Sequence, residues 1–304
     1  MVALHNRQDI RFDFSAIDAA MAYLKEGSSE SLNNLISRPG AKLAYDHYRW
    51  SLYGSHLAAK DFWKEELHKI LYTEEIERNI IALSRYLEAQ SRSSKWLNEV
   101  LRYLPRNHFF KTSVYLILGY DNVVFGEDVA LNLSNKHFHE DPREAIYYLI
   151  HELAHAGYLR YHGMPNLYRP NTWGELSRII KVLTHLEGMG VISSTKLRTA
   201  EGGFLDNDYK VLRSKTERAS RVRDYSNVLS RLENEPDRMV ETPRDFEVYD
   251  ELSGQPRRPW YIAGCHMAQK IETKLGIETL RELIEKGDSD FFKTYNEIDD
   301  RLLC

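Results

Sequence analysis

Hydrophobic positions follow a helical period up to about Leu104 and change to a strand period near Lys111. Ser15 stands before the apolar run Ala16–Leu24, which Gly27 closes, and further helical patterns run over 57–71 and from Thr73 towards Leu104. Pro39-Gly40 and Pro105 punctuate this region, and its mixed-sign charges suit solvated helix faces. Ser113–Leu118 is then a short β-favouring run ended by Gly119, and Val123-Val124-Phe125 is another ended by Gly126. Val129, Leu131 and Leu133 alternate with Ala130, Asn132 and Ser134, which predicts a half-buried strand. A small sheet is therefore expected directly before the next helix.

That helix is signalled by Asp141 as cap, Pro142 in the first helical position and Glu144 three residues after the cap. From Ala145 to Leu159 it is apolar or aromatic on every side, apart from His151, Glu152 and His155. A helix that is hydrophobic all round is buried, and a carboxylate in such a place is expensive without a partner. A second helix opens at Thr172, with Glu175 three residues on, and the pattern ends it around Glu187-Gly188-Met189-Gly190. Residues 200–258 are charged and read as loop-rich, with a helix around 216–233. Helical runs follow at Trp260–Ala268 and Ile277–Ile284, and Phe291–Asn296 closes the chain. The expected fold class is α+β, mainly α, with this buried helix beside a small sheet. A helical N-terminal scaffold (1–106), a core of small sheet and two helices (107–195) and a helical C-terminal region (196–304) make up the expected domains.

His151-Glu152-Leu153-Ala154-His155 is an H-E-x-x-H motif. Side chains four apart on a helix share a face, so two imidazoles at that spacing can hold one ion. The helical pitch turns Glu152 by about 100° from His151, beside the position where a metal-activated water would sit. The competing account is two hydrogen-bonded core histidines. Composition narrows the alternatives. A net charge of −4 argues against nucleic acid as a partner. The sequence has no apolar run long enough to span a membrane and no leader pattern, and its two cysteines, Cys265 and Cys304, form no framework. A cytoplasmic protein is the expectation.

A catalytic zinc takes three protein ligands and leaves a position for water. The metzincin pattern would need glycine and histidine where Tyr158 and Tyr161 stand, so it does not apply. Glu187, 32 residues after His155, offers a carboxylate from the following helix. At a helix C-terminus it would sit against the dipole, which favours a cationic partner. His185 is the nearest competitor, although two positions along a helix point elsewhere.

His151–Tyr158, followed by Glu187-Gly188-Met189, resembles the gluzincin-type zinc metallopeptidases, and most of all the uncharacterised predicted Zn-dependent proteases of bacteria and archaea. Tyr261–Gly264, Met267-Ala268, Ile271-Glu272, Gly276, Phe292 and Tyr295-Asn296 are similar to that branch's C-terminal helices, so the likeness covers roughly residues 107–300. It implies a peptide or protein substrate, one zinc per chain on His151, His155 and Glu187, and Glu152 as general base. It also implies that Val129–Leu133 is a sheet edge along which an extended peptide lies. Many gluzincins place an aspartate four residues after the third ligand; Val191 stands there, so the partner that orients a histidine must come from elsewhere. Tyr261 and His266, with Arg257 and Arg258 behind them, are the candidates to stabilise the oxyanion.

Two rival readings remain open from sequence. Glu152-x-x-His155 has a second copy at Glu65–His68, as ferritin-like di-iron proteins require. A purely structural zinc would be closed by a fourth ligand, for which His137, His139, His162 and His185 are available.

Overall fold

The computed structural model describes residues 8–51 and 56–298. They form two compact units, one running to Asn98 and again from Asn107 to Arg160, the other made of Glu99–Arg106 and the chain from Tyr161 onwards. Cys304 and the first seven residues, on which the leader argument bears, lie outside the described residues.

The first unit starts with strand β1 (Asp9–Asp13), then helices α1 (Ser15–Glu26), α2 (Ser29–Ser37), α3 (Pro39–Ser51), α4 (Ala59–His68) and α5 (Glu74–Gln90). Helix α6 (Ser94–Tyr103), which belongs to the other unit from Glu99 on, is followed by β2 (Lys111–Ile117), β3 (Val123–Phe125), β4 (Asp128–Asn132), α7 (Lys136–Glu140) and α8 (Arg143–His162). Gly27, at φ 64°, ends α1 in the left-handed conformation, and the Thr73 hydroxyl accepts from the Ile76 amide to start α5. In β2, Thr112, Val114 and Leu116 are buried while Ser113 and Tyr115 are half-buried, the alternation of a strand covered on one side. Helix α3 lies so close that a Cβ on Gly40 would come within 2.8 Å of the Tyr115 Cβ.

The sheet order is β1-β2-β4-β3, with β1 and β4 parallel to β2 and β3 antiparallel to β4. Two expectations change here. A strand, β1, precedes the helices of the N-terminal region and pairs Asp9 with Lys111. And β4 is no edge: Val129 and Ala130 face β2 on one side and β3 on the other, so their backbone groups are already used. The short β3 takes the place that a substrate strand would have needed.

His108 in this unit is 4% exposed. Burial, and secondarily the charge of Arg160, push its pKa down to about 4. A histidine depressed in the fold contributes nothing adverse above its unfolded pKa of about 6.5 and opposes folding as pH falls below that value. Urea unfolding should therefore show a loss of about 2 kcal/mol between pH 7 and pH 4.5 that His108→Gln removes.

The second unit is helical: α9 (Trp173–Glu201), α10 (Asn207–Arg213), α11 (Lys215–Glu233), a 3-10 turn at Arg244–Phe246, α12 (Glu247–Ser253), α13 (Pro259–Leu275), α14 (Ile277–Lys286) and α15 (Asp288–Ile298). The Thr172 hydroxyl accepts from the Glu175 amide at 3.3 Å, as the capping pattern predicts. The far end differs from expectation. Helix α9 runs through Gly188 and Gly190 for 29 residues and stops at Gly202, whose φ is 72°. Each glycine inside a helix costs about 1 kcal/mol relative to alanine, so something must offset Gly188. Its neighbour does: a Cβ there would come within 2.6 Å of the Gly264 Cα, in the middle of α13. Helices α9 and α13 thus touch backbone to backbone, the most extensive helix pair of the described residues, and α11 and α15 pack on both. The stretch between α9 and α13 is more helical than its composition suggests, because α10, α11 and α12 each find a buried face there.

Candidate active site

In the first unit the candidate residues lie on one helix. Asp141 Oδ1 accepts from the Arg143 amide at 3.0 Å, which holds the start of α8. Along α8, Ile146, Leu149, Ile150, Leu153, Ala154 and Leu159 are all buried, so from Ala145 to Leu159 the helix is apolar or aromatic except at His151, Glu152 and His155. His151 and His155 stand with ring centroids 4.4 Å apart and planes at 79°. Glu152 and His155 are each 6% exposed, and His151 is half-buried. Two imidazoles edge to face at that distance repel if both are protonated, and they suit a shared cation if both are neutral. A carboxylate buried beside them is costly alone and favourable next to such a cation. Donor set and burial therefore fit a zinc ion.

His137 and His139 belong to the short helix α7, not to a loop, and its Phe138 packs edge-on against Tyr148 at 5.3 Å. In the second Glu-x-x-His segment, Glu65 and His68 are both exposed on α4, so no buried partner site for two irons forms around them.

In the second unit Glu187 is half-buried in the middle of α9. It is not at a helix end, so the dipole argument for a cationic partner falls away. A different electrostatic setting replaces it. Arg258, which precedes the first turn of α13, donates from Nη1 to Asp208 Oδ2 at 2.8 Å, and its guanidinium lies 3.5 Å above the Tyr261 ring. Asp208 is 3% exposed. Burial lifts its carboxyl above the usual range, Arg258 pulls it back, and Asp206 and Glu187 push it further up. Burial also works against the charge on Arg258, but Tyr261, Asp208 and Glu187 outweigh it, so the guanidinium stays protonated. The Tyr261 phenol is held protonated first by burial and then by the Glu187 charge, with Arg258 opposing. Arg258 has a φ of 42°, the one positive value outside glycine among the described residues. Such a conformation costs about 1–3 kcal/mol and persists where surrounding contacts hold it.

The two residues expected to stabilise an oxyanion separate. Tyr261 belongs to the Glu187 cluster, whereas His266, about 140° further round α13, has its ring 6.4 Å from Tyr295 of α15. Arg257 pairs with Asp224 at the surface. His185 is fully buried and stacks on Phe291 at 4.1 Å and 16°, and burial together with the charge of His162 pushes its pKa down to about 3. His162 itself lies against the Ile284 carbonyl at 2.5 Å. Asp208 is the cluster member that sequence reasoning passed over. It lies in a charged stretch with no spacing relation to the motif, and only the fold brings it to Arg258.

Residues 9–300 match the model of the family described as "Putative zinc dependent peptidase (DUF5700)". Neither a curated protein nor a solved structure matches the chain.

Proposed function

With the chain a member of that "putative zinc dependent peptidase" family, we propose that it hydrolyses peptide bonds at one gluzincin-type zinc held by His151, His155 and Glu187. The observation that carries the reading is the pair of imidazoles 4.4 Å apart on α8 with the buried Glu152 carboxylate between them in sequence. Supporting it, the family is described as zinc dependent, and Glu187 is a half-buried carboxylate inside α9. Zinc in such a site acidifies water to a pKa of roughly 7 and polarises the scissile carbonyl.

The chain's own groups supply the proton handling. Glu152 accepts the proton of the attacking water as its oxygen bonds to the carbonyl carbon, and hands it to the amine nitrogen as the C–N bond breaks. Tyr261 donates to the carbonyl oxygen as charge builds there; we favour it over His266 because it shares the Glu187 cluster. A closed structural zinc would need a fourth ligand, and of the four candidate histidines the two in the second unit are engaged elsewhere: His162 lies on the Ile284 carbonyl and His185 stacks on Phe291. No helix among the described residues is long and apolar enough to cross a membrane.

Metal analysis of purified protein should find one zinc per chain. His151→Ala, His155→Ala and Glu187→Ala should each lose most of it, Glu187→Gln should fall between, and His162→Ala should keep it. Two irons per chain, or a Glu187→Ala protein with full zinc, would overturn this assignment.

A further inference from the structure

We propose that Asp208 and Arg258 form a clamp that positions Glu187 and Tyr261, Asp208 aiming the guanidinium and the guanidinium holding the tyrosine ring and the ligand carboxylate. The inference rests on Glu187 being the third zinc ligand.

Arg258 is restrained from three directions. Its amide donates to the Gly254 carbonyl at 3.1 Å, Pro259 follows it, and Asp208 holds Nη1 at 2.8 Å. These fix a left-handed backbone that glycine would adopt without strain, so the arginine side chain must make contacts that compensate. The contacts it makes are an ion pair on one side and the Tyr261 ring, 3.5 Å away, on another. A flat cation with forked donors can serve both at once, where the point charge of lysine cannot.

The close crossing of Gly188 and Gly264 sets Glu187, one residue before Gly188, near the first turns of α13 where Tyr261 stands. Glu187 feels Asp208, Arg258 and Tyr261 electrostatically. A zinc ion needs one carboxylate oxygen, and outer donors to the rest of a ligand commonly fix its orientation. Asp208 has a second task in this arrangement. It balances a positive charge that would otherwise repel a divalent cation at Glu187. A simple structural tie between α10 and α13 would use the same ion pair but would not influence the metal.

The test uses the full chain, with Arg258→Met, Arg258→Lys and Asp208→Asn compared with wild type and with Glu187→Ala. Zinc affinity is measured by chelator competition, ligand geometry by the visible bands of the cobalt(II)-loaded protein, and stability by melting of the metal-free chain. Arg258→Met and Asp208→Asn should each weaken zinc by roughly 10–100-fold and shift the cobalt bands. Arg258→Lys should recover part of the affinity. If Arg258→Met does not fold, Asp208→Asn, which keeps the shape, carries the comparison. Wild-type affinity and an unchanged cobalt spectrum in the Asp208 and Arg258 variants, with only the melting temperature lowered, would overturn the clamp. A wild-type chain that binds no zinc, or Glu187→Ala binding as tightly as wild type, would instead overturn the ligand assignment beneath it.

Discussion

Glu152→Gln should lower kcat for peptide hydrolysis by about 10²–10⁴-fold or more while the protein keeps its zinc. The amide has the shape of the carboxylate, so packing along α8 survives, but it cannot take a proton from water. Stability should move the other way. Glu152 is 6% exposed on a helix lined with leucine, isoleucine and alanine, where a negative charge is unfavourable when no metal is bound. The metal-free Glu152→Gln chain should thus melt no lower than wild type, the trade-off expected where a site stores charge for chemistry. A fluorogenic peptide library, zinc content and thermal melting on the same preparation make the measurement. Activity within tenfold of wild type would place the general base elsewhere.

What could be read from sequence is what one element carries by itself. His151, Glu152 and His155 lie within one helical turn or so, and the cap at Asp141 and the apolar run define the helix that presents them. Val123–Phe125 is recovered with its bounds, because β-branched residues between turn signals need no distant partner to be recognised. Strand β1 was not, since Asp9–Asp13 carries three charges in five residues and becomes a strand by pairing with β2, about a hundred residues away. The placing of β4 at an edge failed for a similar reason: alternation reveals a strand and its buried side, not how many neighbours it has. Asp208 and Arg258 were out of reach as a pair, because α10 and the start of α13 are joined only by tertiary packing.

The end of α9 shows the same limit most sharply, and it leads to the second large effect. Gly264→Ala should lower the melting temperature by roughly 5–10 °C, a loss of about 2–4 kcal/mol in a unit of this size. Judged on propensity alone, alanine in the middle of α13 would be an improvement of about 1 kcal/mol. Sterics reverse the sign. The new Cβ would stand 2.8 Å from the Gly188 Cα and closer still to the Thr184 carbonyl oxygen, both backbone atoms of α9 that cannot turn aside as a side chain would. The two helices must separate, and the α11 and α15 surfaces packed on both lose contact with them. Because Gly188 adjoins Glu187, the same separation should weaken zinc binding in the folded fraction. Gly163→Ala is the control: its φ of 68° carries strain, but a Cβ there meets nothing within 4 Å, so only the smaller backbone cost of about 1 kcal/mol applies. Equal melting temperatures for the two variants would mean that α9 and α13 do not depend on backbone contact at this crossing, and that Gly188 inside α9 marks a weakness of the helix and not a contact that holds the unit together.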